Sequence, residues 1–404
     1  MSIEKRRRRR VVASHDIALA AFRAAGLFGI VALVWAGWVL LQGGSWWGPL
    51  HAFLAGTVLL AISGATQMFT VTWSAAPAPL SGVAGVQRWA VVIGVALVLV
   101  GIPVSAVWAV VTGAGLVIVG LGLLIYSLWS AVRRSLLRRF DLSSRFYILG
   151  LAAGLTGVAL GAVMGADAAG QSFSDVRLAH SHLNLVGLVG MTIVGTLPTI
   201  LPTFAHHRAV SGREARAAWM LALFSVASIA FGLVVGAPAV GAGTIVAGAS
   251  LGLILLGIVV RLGKRGLAGG LSYAQVVAGS VWLVVWAFLD GISLLVGSVP
   301  GSFSPWTAAV VTAGVGQILL GSLAYLSPVL AGGPPRLGRN LERMRARPWL
   351  PLGLANAGGV LFVLGLGVPA AVIVGIWALD FAVRVARMEW ASGNQGRSKE
   401  NDRR

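Results

Sequence analysis

Three histidines carry the chemistry this sequence offers: His51, His180 and His182. Each lies toward the end of an apolar run long enough to cross a bilayer, and all three fall at the same membrane face once the runs are alternated. Imidazole is a ligand for haem iron, copper and zinc. An ionisable side chain at membrane depth is costly and turns toward a bundle interior or a wet cavity. In His180-Ser181-His182 the two-residue spacing sets the rings about 200° apart on one helix, on nearly opposite faces. They therefore suit two sites, one on each side of the helix, better than a clamp on one small ion. Shared depth predicts that His51 and His182 approach each other across one outer pocket and hold one cofactor, with His180 pointing elsewhere. The same three residues are the candidate ligands if the group is a bare metal ion. Asp290, near the outer end of the ninth run, is the expected hydrogen-bond partner for a ligand imidazole N–H. Asn184 and Gln317 are further polar neighbours, and Thr192 lies on the same helix as the His-x-His pair. For any single histidine the competing reading is an interfacial residue bonded to backbone or headgroups. His15, in the basic N-terminal arm, and His206 and His207, beside Arg208 at the opposite face, are read that way.

The elements that must position these residues are membrane helices. The chain has 404 residues, 57% hydrophobic and 11% charged, and a soluble domain could not solvate such a surface. The formal charge of +19 raises nucleic acid as a ligand, but the cations lie between apolar runs, so no nucleic-acid partner is expected. Cysteine is absent, which excludes disulfides, thiolate metal sites and thioether-linked haem. A spanning helix needs about 20 apolar residues. Twelve segments qualify: 17–41, 48–74, 85–102, 106–131, 146–167, 180–204, 216–236, 240–260, 271–297, 306–330, 349–366 and 369–388. The first is too long for a signal-peptide core and is read as a retained helix. Tight breaks are expected at Gly101-Ile102-Pro103 and Gly367-Val368-Pro369. With the N-terminus inside, inner segments hold 29 of the 31 Lys and Arg; Arg177 alone lies in an outer loop, and Arg23 snorkels from the first span. The expected organisation is a basic cytoplasmic arm at 1–16, a twelve-helix membrane domain at 17–390 and a disordered cytoplasmic tail at 391–404. This makes a multi-pass protein of the cell membrane with both termini cytoplasmic, its basic clusters on anionic lipid headgroups.

An internal repeat orders the twelve spans. Gly190, Gly195, Leu197 and Pro202 of the sixth recur 126 residues later as Gly316, Gly321, Leu323 and Pro328 of the tenth. A shift of 131 carries His51 onto His182 and Gly64 onto Gly195. The fold expected is all-α and transmembrane, built from three pseudo-repeated four-helix units in parallel orientation. In the third, Ala308 stands where the others have histidine.

Twelve helices in three arcs, a histidine in the second and a His-x-His helix together resemble the catalytic-subunit fold of haem–copper oxidases. The string from His180 through Leu183, Asn184 and Gly187 to Gly190 is similar to the His-x-His helix of nitric oxide reductases and of NnrS-like membrane proteins. Trp47-Gly48-Pro49-Leu50-His51 and the stretch from Ala179 to Pro202 are similar to the membrane-embedded N-terminal part of actinobacterial NO-forming copper nitrite reductases. The resemblance implies that His51 and His182 hold a low-spin b-type haem and that His180 faces a second cofactor, with copper as an alternative to haem. The sequence departs from the oxidases in carrying His-x-His on the sixth helix rather than the tenth. Of the three further histidines a copper would need, only His206 and His207 remain. The function this implies is a haem- or metal-binding membrane protein of respiration or nitrogen-oxide metabolism, with a redox protein as partner on the outer side. A secondary transporter and a non-catalytic assembly partner are the rival classes.

Overall fold

A computed structural model describes residues 3–135, 141–207, 212–298, 304–331 and 334–389. The described residues are helical with turns between them and form thirteen helices: α1 Ile3–Gln42, α2 Trp47–Trp73, α3 Ser81–Gly101, α4 Val107–Arg133, α5 Asp141–Gly165, α6 Gly170–Phe204, α7 Gly212–Val235, α8 Ala237–Leu262, α9 Gly270–Leu295, α10 Pro305–Ala331, α11 Pro334–Arg345, α12 Trp349–Val363 and α13 Gly367–Ala386. Eleven of them are long and apolar enough to span a bilayer; α12, at 15 residues, is apolar but shorter. This is an all-α, multi-pass membrane protein. Its exposed surface says the same, since Leu27, Val34, Trp38, Trp108 and Val234 stand outward on the spans, where only lipid would cover them. Hydroxyls inside the helices bond back to the carbonyl four residues earlier, as Thr66 does to Ile62, Thr192 to Leu188 and Thr244 to Val240, which satisfies them without water.

Several expected boundaries move. Helix α1 starts at Ile3 rather than 17, so the basic arm continues the first span as helix. The sixth span starts at Gly170, ten residues before the expected 180, because polar Gln171-Ser172-Phe173-Ser174 still forms helical turns. The break after α3 is confirmed, with Ser105 at φ +54°. The last break falls at Gly365, φ +76°, and Pro369 opens α13 in its first turn, a position that needs no N–H. Helix α11 was not anticipated, since it is too polar to span. The tail expected at 391–404 lies outside the described residues, as does most of the 298–305 loop.

The chain divides into two compact units. The first contains Met1–Thr199, Ala209–Arg261 and Leu283–Ser304, and the second Ile200–Arg208, Leu262–Trp282 and Pro305–Arg404. The repeat is visible as local structure. Helices α2, α6 and α10 each carry a π-helical segment: Ala52–Val58, Leu183–Gly190 and Val310–Gly316. The first two begin one residue after His51 and His182, and the third one residue after Ala309. The repeated glycines also match. A methyl on Gly64 would meet Ala21 and the Ala18 carbonyl of α1, one on Gly195 would meet Phe146 and the Ser143 carbonyl of α5, and one on Gly321 would meet Gln275 and Val276 of α9. In every case a small residue brings the helix against its predecessor, as spans packed without a hydrophobic driving force require.

The second unit holds a polar latch. Arg339 and Arg343 of α11 both bind the Glu389 carboxylate, and Asn340 exchanges two hydrogen bonds with the Glu389 backbone. Buried Arg384 of α13 bonds Asp380 at 2.6 Å and donates to the carbonyls of Met344 and Ala346, at the C-terminal end of α11, where a cation is favoured. These contacts bind α11 to the end of α13.

Candidate functional site

The histidines of the first unit form two arrangements. His51 ends the first turns of α2 and donates from Nδ1 to the Trp47 carbonyl at 2.8 Å, with the Trp47 ring stacked on it at 4.3 Å between centroids. His180 of α6 donates from Nδ1 to the Gly157 carbonyl of α5 at 2.7 Å. A carbonyl accepts only, so both imidazoles carry their proton on Nδ1 and keep a free lone pair on Nε2. The two rings lie 6.3 Å apart between centroids, with their planes 15° from parallel.

The other face of α6 carries His182, buried, bonded through Nε2 to Asp290 Oδ2 of α9 at 2.8 Å. Its Nδ1 faces the Leu178 carbonyl at 2.9 Å and the Trp286 ring lies 6.1 Å away. Acceptors therefore stand at both ring nitrogens.

The opposite-face expectation for His180 and His182 is met, and Asp290 is a histidine partner as expected. The pairing is not. His51 lies beside His180, not His182, and His182 is the residue that points elsewhere. Asn184 bonds the His180 carbonyl at 2.8 Å and packs on Gly157, which places it beside the His51–His180 pair. Thr192 bonds its own helix at Leu188. Gln317 belongs to the second unit, fully buried, with neither end of its amide meeting a protein partner. His206 and His207, also in the second unit, line with Pro202 and Thr203 an open cleft of about 450 Å³, and Arg265 donates to His207 Nε2 at 3.0 Å.

Four residues of the site escaped sequence reasoning. Trp47 and Gly157 supply the carbonyls that fix the tautomers, and Trp286 covers His182. Gly161 gives His180 its place, since a methyl there would stand 2.8 Å from the ring Cε1. The legible signal was Gly157-x-x-x-Gly161, a small-residue spacing that lets a neighbouring helix approach closely.

Two neutral imidazoles with fixed tautomers fit a metal that takes axial nitrogen ligands. Among the described residues no group of three His, Asp or Glu side chains is gathered as a metal site, so the donor set is two histidines. That suits a centre whose other ligands come from a macrocycle, or two-coordinate copper(I). No family model matches the chain, and no curated protein is significantly similar to it.

Proposed function

We propose that this protein binds a metal cofactor, a b-type haem in the first instance, between His51 and His180 of its membrane domain and serves as a redox protein of respiration or nitrogen-oxide metabolism. The observation that carries the reading is the imidazole pair. The two ring centroids lie 6.3 Å apart with their planes 15° from parallel, and each ring would hold the metal through its Nε2 lone pair. Each Nδ1–H is anchored on a carbonyl, the outer-shell bond that orients a ligating imidazole and raises its basicity. A bound haem supplies one-electron chemistry; the chain holds the two rings, and Trp47 excludes water from the His51 face.

The proposed orientation follows from charge: both termini cytoplasmic and the histidines toward the outer face, where a redox partner would dock. Purified protein tests the reading by absorption spectrum and metal analysis. A Soret band that His51→Ala and His180→Ala each abolish and His182→Ala leaves intact is the expected result. A colourless, metal-free protein that takes up neither haem nor copper on titration overturns it.

The buried His182–Asp290 pair favours a second reading, a proton-coupled transporter, because ionisable partners inside a span mark proton relays. Proton flux in reconstituted vesicles that is lost in Asp290→Asn would support that reading.

A further inference from the structure

The inner half of α2 carries a polar stripe that the fold does not need. Ser63, Gln67, Thr70 and Ser74 recur at spacings of four, three and four, which keeps them within about 60° of arc on one helix face. All are buried, at 0%, 2%, 2% and 0% exposure, and Gln87 of α3, at 1%, faces them. Ser63 donates to Gln87 Oε1 at 2.9 Å, and Gln67 Nε2 donates to the Ser63 carbonyl at 3.2 Å and to Gln87 Oε1 at 3.4 Å. The carbonyl fixes the Gln67 amide, since only its nitrogen can donate there, and Gln67 and Ser63 in turn fix Gln87. Gln67 Oε1 and Gln87 Nε2 are then left over as one acceptor and one donor, and neither meets a protein partner. Thr70 Oγ1 and Ser74 Oγ are in the same condition. Each such orphan costs about 1–3 kcal/mol when dry, and a dry cluster of four in a bilayer is untenable.

The repeat shows that these polar residues are not structural. Under the 131-residue shift that superposes Gly64 on Gly195, the four positions become Val194, Pro198, Leu201 and Ala205, and Gln87 becomes Ala218. Under the further shift of 126 they become Leu320, Ala324, Ser327 and Ala331. The second repeat carries only apolar side chains at the corresponding positions.

We propose that the stripe is a path by which water enters the first unit from the basic face as far as the Gln67–Gln87 amides near mid-membrane; the side chains close over it in this structure, so entry requires α2 and α3 to part. Its ligand is a chain of water molecules. The groups that line it are neutral donors and acceptors, matched to water's two of each, and it lacks the carboxylates that a hydrated metal cation needs. The stripe covers about 16 Å of helix rise, roughly half the hydrocarbon thickness. At the basic end the Ser74 carbonyl accepts from Ser135, next to Arg133 and Arg134. None of this depends on a metal at the histidines.

The cysteine-free chain gives the test a clean background. Single cysteines at Ser74, Thr70 and Ser63 are compared with one at Met68, buried at 4% at a similar depth and about 100° or more round the helix from the stripe. Full-length protein in vesicles is exposed to Ag+, a thiol reagent close to water in size, and the surviving thiols are counted with a maleimide after denaturation. Ser74→Cys, Thr70→Cys and Ser63→Cys should be consumed at rates that fall with depth, each at least tenfold faster than Met68→Cys. Adding Gln67→Leu with Gln87→Leu should slow Ser63→Cys at least tenfold and leave Ser74→Cys unchanged. Equal rates at positions 70, 63 and 68 would overturn the proposal, as would reaction at 74 alone.

Discussion

Gly161→Ala is the most informative single change at the histidine site. The new methyl would lie 2.8 Å from His180 Cε1 and 3.0 Å from Nδ1. Ordinary contact begins near 3.4 Å, so the ring must retreat by roughly 0.6 Å, and overpacking of this kind costs about 1–3 kcal/mol. Helix propensity returns up to about 1 kcal/mol for Gly→Ala, leaving the fold destabilised by no more than about 2 kcal/mol. The ligand geometry suffers more. Metal–ligand distances hold to about 0.2 Å, and the same retreat stretches the Nδ1 bond to Gly157 that now measures 2.7 Å. If the 1–3 kcal/mol falls on binding, cofactor affinity drops about 5- to 150-fold. Titration of apoprotein with haem, followed at the Soret band, reads this directly, with Gly26→Ala as control because that position opens onto free space. A Gly161→Ala protein with wild-type affinity and an unchanged low-spin spectrum would refute the assignment of His180 as a ligand.

Gly195→Ala should lower the thermal midpoint, at a cost of about 1–3 kcal/mol, because its methyl meets the fixed Ser143 carbonyl and Phe146; stability equal to that of Gly26→Ala would contradict the packing described. Asp290→Leu should destabilise the first unit by about 1–3 kcal/mol, by leaving buried His182 Nε2 without its partner, while any cofactor spectrum at His51 and His180 stays unchanged. The Glu389 carboxyl is held at about 2, below the usual 4.5, chiefly by its hydrogen bond from Arg339 and then by Arg343. A depressed folded-state value means that the latch is at full strength above the usual carboxylate range and weakens as pH falls from about 4.5 toward 2. Hydrogen exchange across α11 should therefore rise in that window, and exchange that is flat from pH 6 to pH 2 would count against the latch. Single cysteines at 338 and 171, probed on intact cells with an impermeant reagent, should label at 171 and not at 338, and the reverse would invert the topology.

Length and hydropathy made the membrane fold legible, because roughly 20 apolar residues in a row have few other solvents. The glycine contacts were legible as well, since Gly64, Gly195 and Gly321 recur in register and a close approach tolerates nothing larger. The histidine pairing was misread for a geometric reason. Equal depth says nothing about direction around the helix: His182 turns to Asp290 of α9, and His180, on the opposite face of α6, is the one that meets His51. Asp290 was legible because an acid in a span needs a partner. Gly157 and Gly161 were legible only as a small-residue spacing and not as the seat of a histidine, because a glycine that makes room for a ring reads like any other among 55. Helix α11 was invisible to a search for spans, since its stability comes from Glu389 and Arg384, about 40 to 50 residues away.

The π-helical segments of α2, α6 and α10 have a further bearing on how these helices tolerate change. A π segment holds about one residue more than an α-helix of the same rise, so each of these helices is two rods joined with a phase jump. On α2 the jump separates His51 from Gly64 and the stripe below it. One angular wheel drawn through the whole helix therefore misassigns one half or the other. Deleting a single residue within Ala52–Val58 would let the segment relax to α-helix and leave His51 nearly in its present direction relative to Gly64, because the wide turn had already absorbed the extra residue. The joint is therefore a place where the helix can lose a residue without redirecting the histidine, whereas a deletion in the α-helical stretch between Leu59 and Gly64 would turn His51 by about 100°.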